Sequence, residues 1–162
     1  MAGKTAPQHI KERIREILME DGWSVRQEPS SKAIWAFVAE DRLKRKIVVG
    51  QNEGKEDQIV VIGGVNIDEA TNNRLNQLSV EERNDFLWAL RFELLRTDLE
   101  FSGVEIPLKR VEVVARIFLD ALSKDTFLLR VSQVRKGVLI VLWMLAKKFA
   151  QQPPRRQLGF QR

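Results

Sequence analysis

Cysteine and tyrosine are absent from this 162-residue chain, and His9 is its one histidine. Without thiols there are no disulfides and no thiolate chemistry, and secretion gains no support. One histidine and no cysteine exclude a zinc site of the usual kind. The missing tyrosine removes a further acid–base candidate. Long apolar runs are also missing. The longest, Val138 to Ala146, falls well short of the roughly 20 residues that span a bilayer. The stretch from Met1 to Pro7 has no apolar signal core, so the expected location is the cytoplasm, away from membranes.

What is present is ordinary material for one folded domain. Apolar residues make up 44% and charged residues 30% of the chain, the balance of a globular protein. The net charge of +5 permits contact with nucleic acid without requiring it. Basic residues concentrate modestly at Lys44–Lys46, Lys147–Lys148 and Arg155–Arg156, which reads first as solvated surface plus a basic tail.

Periodicity divides the chain. Ile10, Ile14, Ile17 and Leu18 repeat at helical spacing, with Pro7 at the start and Gly22 past the end, predicting a helix over about 8–21. Strand chemistry follows at Trp23–Glu28, Ala33–Glu40, Lys46–Gln51 and Gln58–Gly63, with Asp41-Arg42 as a tight connection. Such short connections favour antiparallel pairing. Asp68–Gln77 is polar and helical in character. Ser79 with Glu82 fits a capping box opening a helix to about Arg96. There Phe86, Leu87, Leu90 and Leu94 form one face. Trp88, Phe92 and Leu95 lie opposite, so contact from two sides is expected. A weak strand at Asp98–Ser102 and a strong alternating one at Arg110–Leu119 precede a final helix, Asp125 to Ala150. The expected fold is α+β, with an antiparallel sheet of about five strands and three main helices in two layers. Its order is helix, strands, helix, strands, helix, in a single domain over 8–150. Residues 1–7 form a flexible start and 151–162 a mobile basic tail.

Two segments resemble a known family. Glu81 to Leu94 (EERNDFLWALRFEL) and Ile117 to Phe127 (IFLDALSKDTF) are similar to the signatures of domain-of-unknown-function family 2299, small prokaryotic proteins described mainly from archaea. Ala121 stands where that family would carry glycine. The resemblance covers roughly residues 8 to 150 and implies a fold similar to the two-layer chaperones that serve type III secretion. Those are commonly homodimers that bind extended client segments. It implies no catalytic residue.

The residues themselves supply no catalytic, cofactor-binding or metal-binding set. His9 reads as a solvated residue at a helix start. Gly63-Gly64 lacks phosphate-loop spacing and reads as a strand end or close backbone approach. Glu53, Glu56 and Asp57 fit a solvated turn. Glu93 falls beside an apolar stripe and calls for a partner such as Arg91 or Arg96. Trp35 and Phe37 share a strand face and read as core.

The final helix holds the main functional candidate. Phe127, Val131, Val134, Val138, Val141, Leu142, Leu145 and Phe149 form its core stripe. Leu139, Ile140, Trp143 and Met144 are a surplus on the opposite side, bracketed by Lys136 and Lys147. Their cover is the chain itself, a homodimer partner or a protein client. The expected function is a non-enzymatic interaction module, chaperone-like or adaptor, acting as a homodimer. The alternative is a nucleic-acid-associated protein, with Lys147, Lys148, Arg155, Arg156 and Arg162 touching phosphates. A weaker third reading is an enzyme using only carboxylates and arginines.

Overall fold

A computed structural model describes residues 5–29 and 32–149. The first helix, α1 (Ala6–Glu20), opens two residues earlier than its periodicity predicts. Thr5 and Gln8 form a capping box there, and the Thr5 backbone N–H donates to Gln8 Oε1 at 2.8 Å. Pro7 sits in the first turn, where its missing N–H costs nothing. The strands β1 (Ser24–Gln27), β2 (Ala33–Glu40), β3 (Lys46–Asn52) and β4 (Gln58–Asn66) follow in a meander. Two helices come next, α2 (Glu69–Gln77) and α3 (Val80–Leu95), then β5 (Glu100–Ser102), β6 (Arg110–Phe118) and the long α4 (Lys124–Phe149).

The fold class is the expected α+β, with corrections to its inventory. The sheet has six strands, in the order β1-β2-β3-β4-β6-β5 and antiparallel throughout. The short edge strands β1 and β5 carry it past five. Among the described residues there are four α-helices, because the polar segment at 69–77 is a helix in its own right. Asp68 caps it by accepting from the Thr71 N–H at 2.6 Å, so the central place in the order holds two helices. The β2–β3 connection is also longer than Asp41-Arg42. It runs to Arg45, with Lys44 at φ 63° and Asp41 Oδ1 accepting from the Leu43 and Arg45 N–H groups.

Side-chain alternation decides the layering. Odd-numbered strand residues, among them Trp35, Phe37, Val49, Ile59, Val61, Val113, Ala115 and Ile117, join the hydrophobic core with Ile14, Leu18, Phe127, Val134 and Val141. α1 covers this face over β1 and β2, and α4 covers it over β4 and β6. Close approach of α4 needs glycine beneath it: a Cβ on Gly63 would lie 2.6 Å from Val138 and 2.8 Å from Val134. Trp35 and Phe37 are core, as expected, with ring centroids 5.3 Å apart. The Trp35 N–H donates to buried Gln51 at 2.8 Å, and the Gln51 amide donates to the Glu56 carbonyl at 2.7 Å, so no polar group in that chain is orphaned. The helices α1 and α4 are tied by Lys124 to Glu20 at 2.9 Å. Arg135 ties α4 to the β2–β3 turn, reaching Asp41 at 3.3 Å while lying over the Trp23 ring.

Candidate interaction surfaces

α3 starts where Ser79 Oγ accepts the Glu82 N–H at 3.1 Å and the Glu82 carboxylate accepts the Ser79 N–H at 3.4 Å. Its inner face is the expected one, with Phe86, Leu87, Leu90 and Leu94 buried. The outer face corrects the expectation of contact from two sides: Trp88, Phe92 and Leu95 are 53%, 55% and 68% exposed. Trp88 and Phe92 pack against each other at 5.8 Å. Arg91 lies over the Trp88 ring at 4.7 Å while its Nε and Nη2 both donate to the Val104 carbonyl. That anchorage holds an exposed aromatic stripe in one orientation.

α4 opens on a reciprocal cap between Ser123 and Thr126, whose N–H donates to Ser123 Oγ at 3.0 Å. Most of its predicted stripe is buried, with Val138 and Phe149 half-buried. Leu142 is the exception: it lies at the edge of the core-facing arc and is exposed. Gly137 takes an inner place instead, letting Leu99 and Val113 come close to the helix backbone.

The surplus residues divide. Ile140 and Met144 turn toward α3 and are half-buried against the core, and Leu139 is half-buried on the other flank. Trp143 between them is 68% exposed. With Phe86, Glu93, Lys147 and Lys148, the residues Ile140, Trp143 and Met144 line an open groove of about 480 Å³ between α3 and α4. Glu93 is held by Arg96 at 3.0 Å, which leaves the two exposed lysines as the unopposed charges of the rim. Phe149 closes the end of the groove, edge-on to Phe86 at 5.4 Å, and its carbonyl accepts from Arg74.

The remaining sequence candidates are scattered. His9 is exposed on the first turn of α1, and Glu53, Glu56 and Asp57 sit in the exposed β3–β4 turn. Among the described residues no three histidine or carboxylate side chains converge. Arg155, Arg156 and Arg162 lie outside the described residues.

A second surface was not anticipated. The even-numbered face of the sheet carries Ala36, Val38, Val48, Val60, Ile62 and Val114, apart from the main core. Register aligns Arg26, Val38, Val48, Ile62, Val114 and Glu100 in one row across all six strands. The signal was present: 33–39 and 59–62 are continuous apolar runs, which mark strands buried on both faces.

Among the described residues, six antiparallel strands carry helices on one face in a two-layer α+β arrangement, and on the other face Ala36, Val38 and Val60 are buried while Val48, Ile62 and Val114 are half-buried. The chain belongs to the family of uncharacterized conserved proteins DUF2299, whose model matches residues 10–145. It is also similar to an uncharacterized protein from Methanothermobacter thermautotrophicus whose crystal structure is known. The two are 29% identical with a TM-score of 0.80, over 86% of this chain and 98% of that one. No curated protein matches. Among the described residues no helix is long and apolar enough to cross a membrane.

Proposed function

We propose that this chain is a non-enzymatic protein-interaction module, chaperone-like or adaptor, that works as a homodimer and receives a partner segment in the α3–α4 groove. The observation that carries the reading is Trp143, a large side chain 68% exposed at the mouth of a preformed groove. An apolar floor of Ile140, Met144 and Phe86 suits a helix or extended segment presenting apolar side chains. Lys147 and Lys148 on the rim select one that carries carboxylates beside them. The likeness to type III secretion chaperones is an expectation from the family resemblance, and a fold-level analogy does not by itself give client binding. The rival, nucleic-acid association through Lys147, Lys148 and the basic 151–162 segment, rests on net charge.

The test uses a labelled synthetic amphipathic peptide with Leu and Phe on one helical face and Glu on the other. Saturable binding at about tens of micromolar is expected, weakened about tenfold or more by Trp143→Glu and by Lys147→Glu with Lys148→Glu. A lysine-for-glutamate version of the peptide should bind at least as weakly. Equal binding by the native chain and Trp143→Glu, with equal melting temperatures, overturns the assignment.

A further inference from the structure

We propose that β1 is an open sheet edge that takes an extended segment of another polypeptide as an added antiparallel strand, one carrying glutamate at every second position. β1 stands at the edge of the sheet remote from β4 and β6, which α4 covers. The site is therefore separate from the α3–α4 groove and needs no second copy of the chain.

The hydrogen-bond phase of β1 fixes what its free side offers. Among the described residues only β2 pairs with it. Glu28 continues the same register, and its N–H donates to the Ala36 carbonyl at 2.9 Å. In an antiparallel pair, residues that exchange hydrogen bonds alternate with residues that do not. Glu28, Arg26 and Ser24 therefore bond toward β2, and the N–H and C=O groups of Val25 and Gln27 point away from the sheet. Those groups are the ladder that one short added strand requires. Pro29, next in the outward phase, has no N–H and ends the ladder.

Side-chain space is present on both faces of that edge. Directly opposite residues of an antiparallel pair share a face. A residue set opposite Val25 or Gln27 would thus send its side chain to the α1 side. There a cavity of about 430 Å³ lies between α1 and the edge, over Val25, Gln27 and Phe37, with Lys11, Glu12 and Arg15 on its helix wall. The intervening residue would point to the other face, where a depression of about 210 Å³ lies beside Arg26 and Val38. The two hollows alternate as the side chains of a bound strand do.

Charge selects the side chain that enters the larger hollow. Lys11 is held over the Phe37 ring at 5.8 Å, and Arg15 follows one turn later on the same helix face. These cations outnumber Glu12, which has a partner already, so the wall attracts a carboxylate. A glutamate on the added strand would lay its methylene groups over Val25 with its carboxylate toward Lys11 and Arg15. Valine suits the intervening places, against Val38 on the other face. A second copy pairing β1 with β1 about Arg26 would instead set Arg26 opposite Arg26, and like charges directly opposite are unfavourable.

The test uses a short labelled peptide of alternating glutamate and valine, read by fluorescence anisotropy on the native chain. Saturable binding at about 100 µM is expected. With glutamates opposite Val25 and Gln27, their N–H groups face β1 and the valine N–H groups face away. N-methylation of the glutamate amides should therefore abolish binding, and N-methylation of the valine amides should leave it within about twofold. Lys11→Glu with Arg15→Glu should weaken it about tenfold or more. Trp143→Glu should bind the peptide as the native chain does. Absence of saturable binding up to about 2 mM, equal binding by the two methylated peptides, or dependence on Trp143 each overturns the assignment. Displacement of the peptide as the native chain is concentrated to about 200 µM would give the edge to a second copy and overturn it as well. Because Trp143 enters only the groove, the edge and the groove stand or fall separately.

Discussion

Asp41 shows how one residue couples three elements. Its side chain is only 12% exposed at the end of the β2–β3 turn, where it meets Arg45 at 2.9 Å and Arg135 of α4 at 3.3 Å. Burial alone would raise the carboxyl pKa. The N–H groups of Arg45 and Leu43, with the Arg45 guanidinium, outweigh burial and hold it below the usual aspartate range. A depressed carboxyl stabilises the fold fully above the unfolded-state value near 4, and that share is lost as pH falls through the folded value. Asp41→Asn should therefore lower stability by about 1–3 kcal/mol at neutral pH. The loss should shrink as pH is lowered from about 4 to about 2.5, the window below the ordinary aspartate value. Urea unfolding of both proteins across that window checks it, and a difference that stays constant with pH would refute the role. The turn signal at Asp41 was legible in the sequence. Arg135 was not, because a helix position 94 residues away in the chain carries no local mark of that contact.

At the scale of elements, the fit of α4 onto the sheet depends on which glycine lies beneath it. Gly63 points into the helix layer, and an added methyl group would press on Val134 and Val138, β-branched side chains with little freedom on a packed helix. Gly64 points the other way, where only the far end of the flexible Arg110 side chain stands close. Gly63→Ala is expected to cost about 1–3 kcal/mol, and Gly64→Ala well under about 1 kcal/mol. Thermal melts of the two variants make the comparison, and equal losses would mean that α4 sits less tightly than these distances require. From sequence the pair read as a strand end or a close backbone approach; β4 runs on to Asn66, so it is not the strand end, and only the register of β4 decides which residue faces the helix. Helix periods and the Ser79 cap were legible because they are local; Thr5 and Asp68 also bond within three residues, but of the three only Ser79 with Glu82 was read as a cap. The groove was half legible. Ile140, Trp143 and Met144 stood out as surplus, but the arrival of α3 beside Ile140 and Met144, leaving Trp143 outside, is a tertiary fact. Trp88, Phe92 and Leu95 looked like a second contact face because apolar spacing cannot distinguish a covered stripe from an exposed one.

Across the whole molecule, charge separates the two readings of function. A chain of net charge +5 will adhere to polyanions to some degree, so retention alone decides nothing. Salt dependence does. A segment held in the α3–α4 groove depends mainly on apolar burial, with Lys147 and Lys148 as its cations, and apolar burial is insensitive to screening. Nucleic acid held through those lysines and the 151–162 arginines would release a counterion for each phosphate neutralised. The logarithm of affinity would then fall by roughly 0.9 for each such contact per decade of salt on a duplex, or roughly 0.7 on a single strand. Between 50 and 500 mM salt, the acidic amphipathic peptide should lose less than about tenfold in affinity if two exposed lysines carry its charge recognition. A duplex engaging those lysines and the tail arginines together should lose about 10³-fold or more. Fluorescence anisotropy with each probe, on the native chain and on Trp143→Glu, gives both slopes and their origin. A shallow slope with loss on Trp143→Glu belongs to an apolar docking site. A steep slope indifferent to Trp143 would make the basic surface the functional one and the groove incidental.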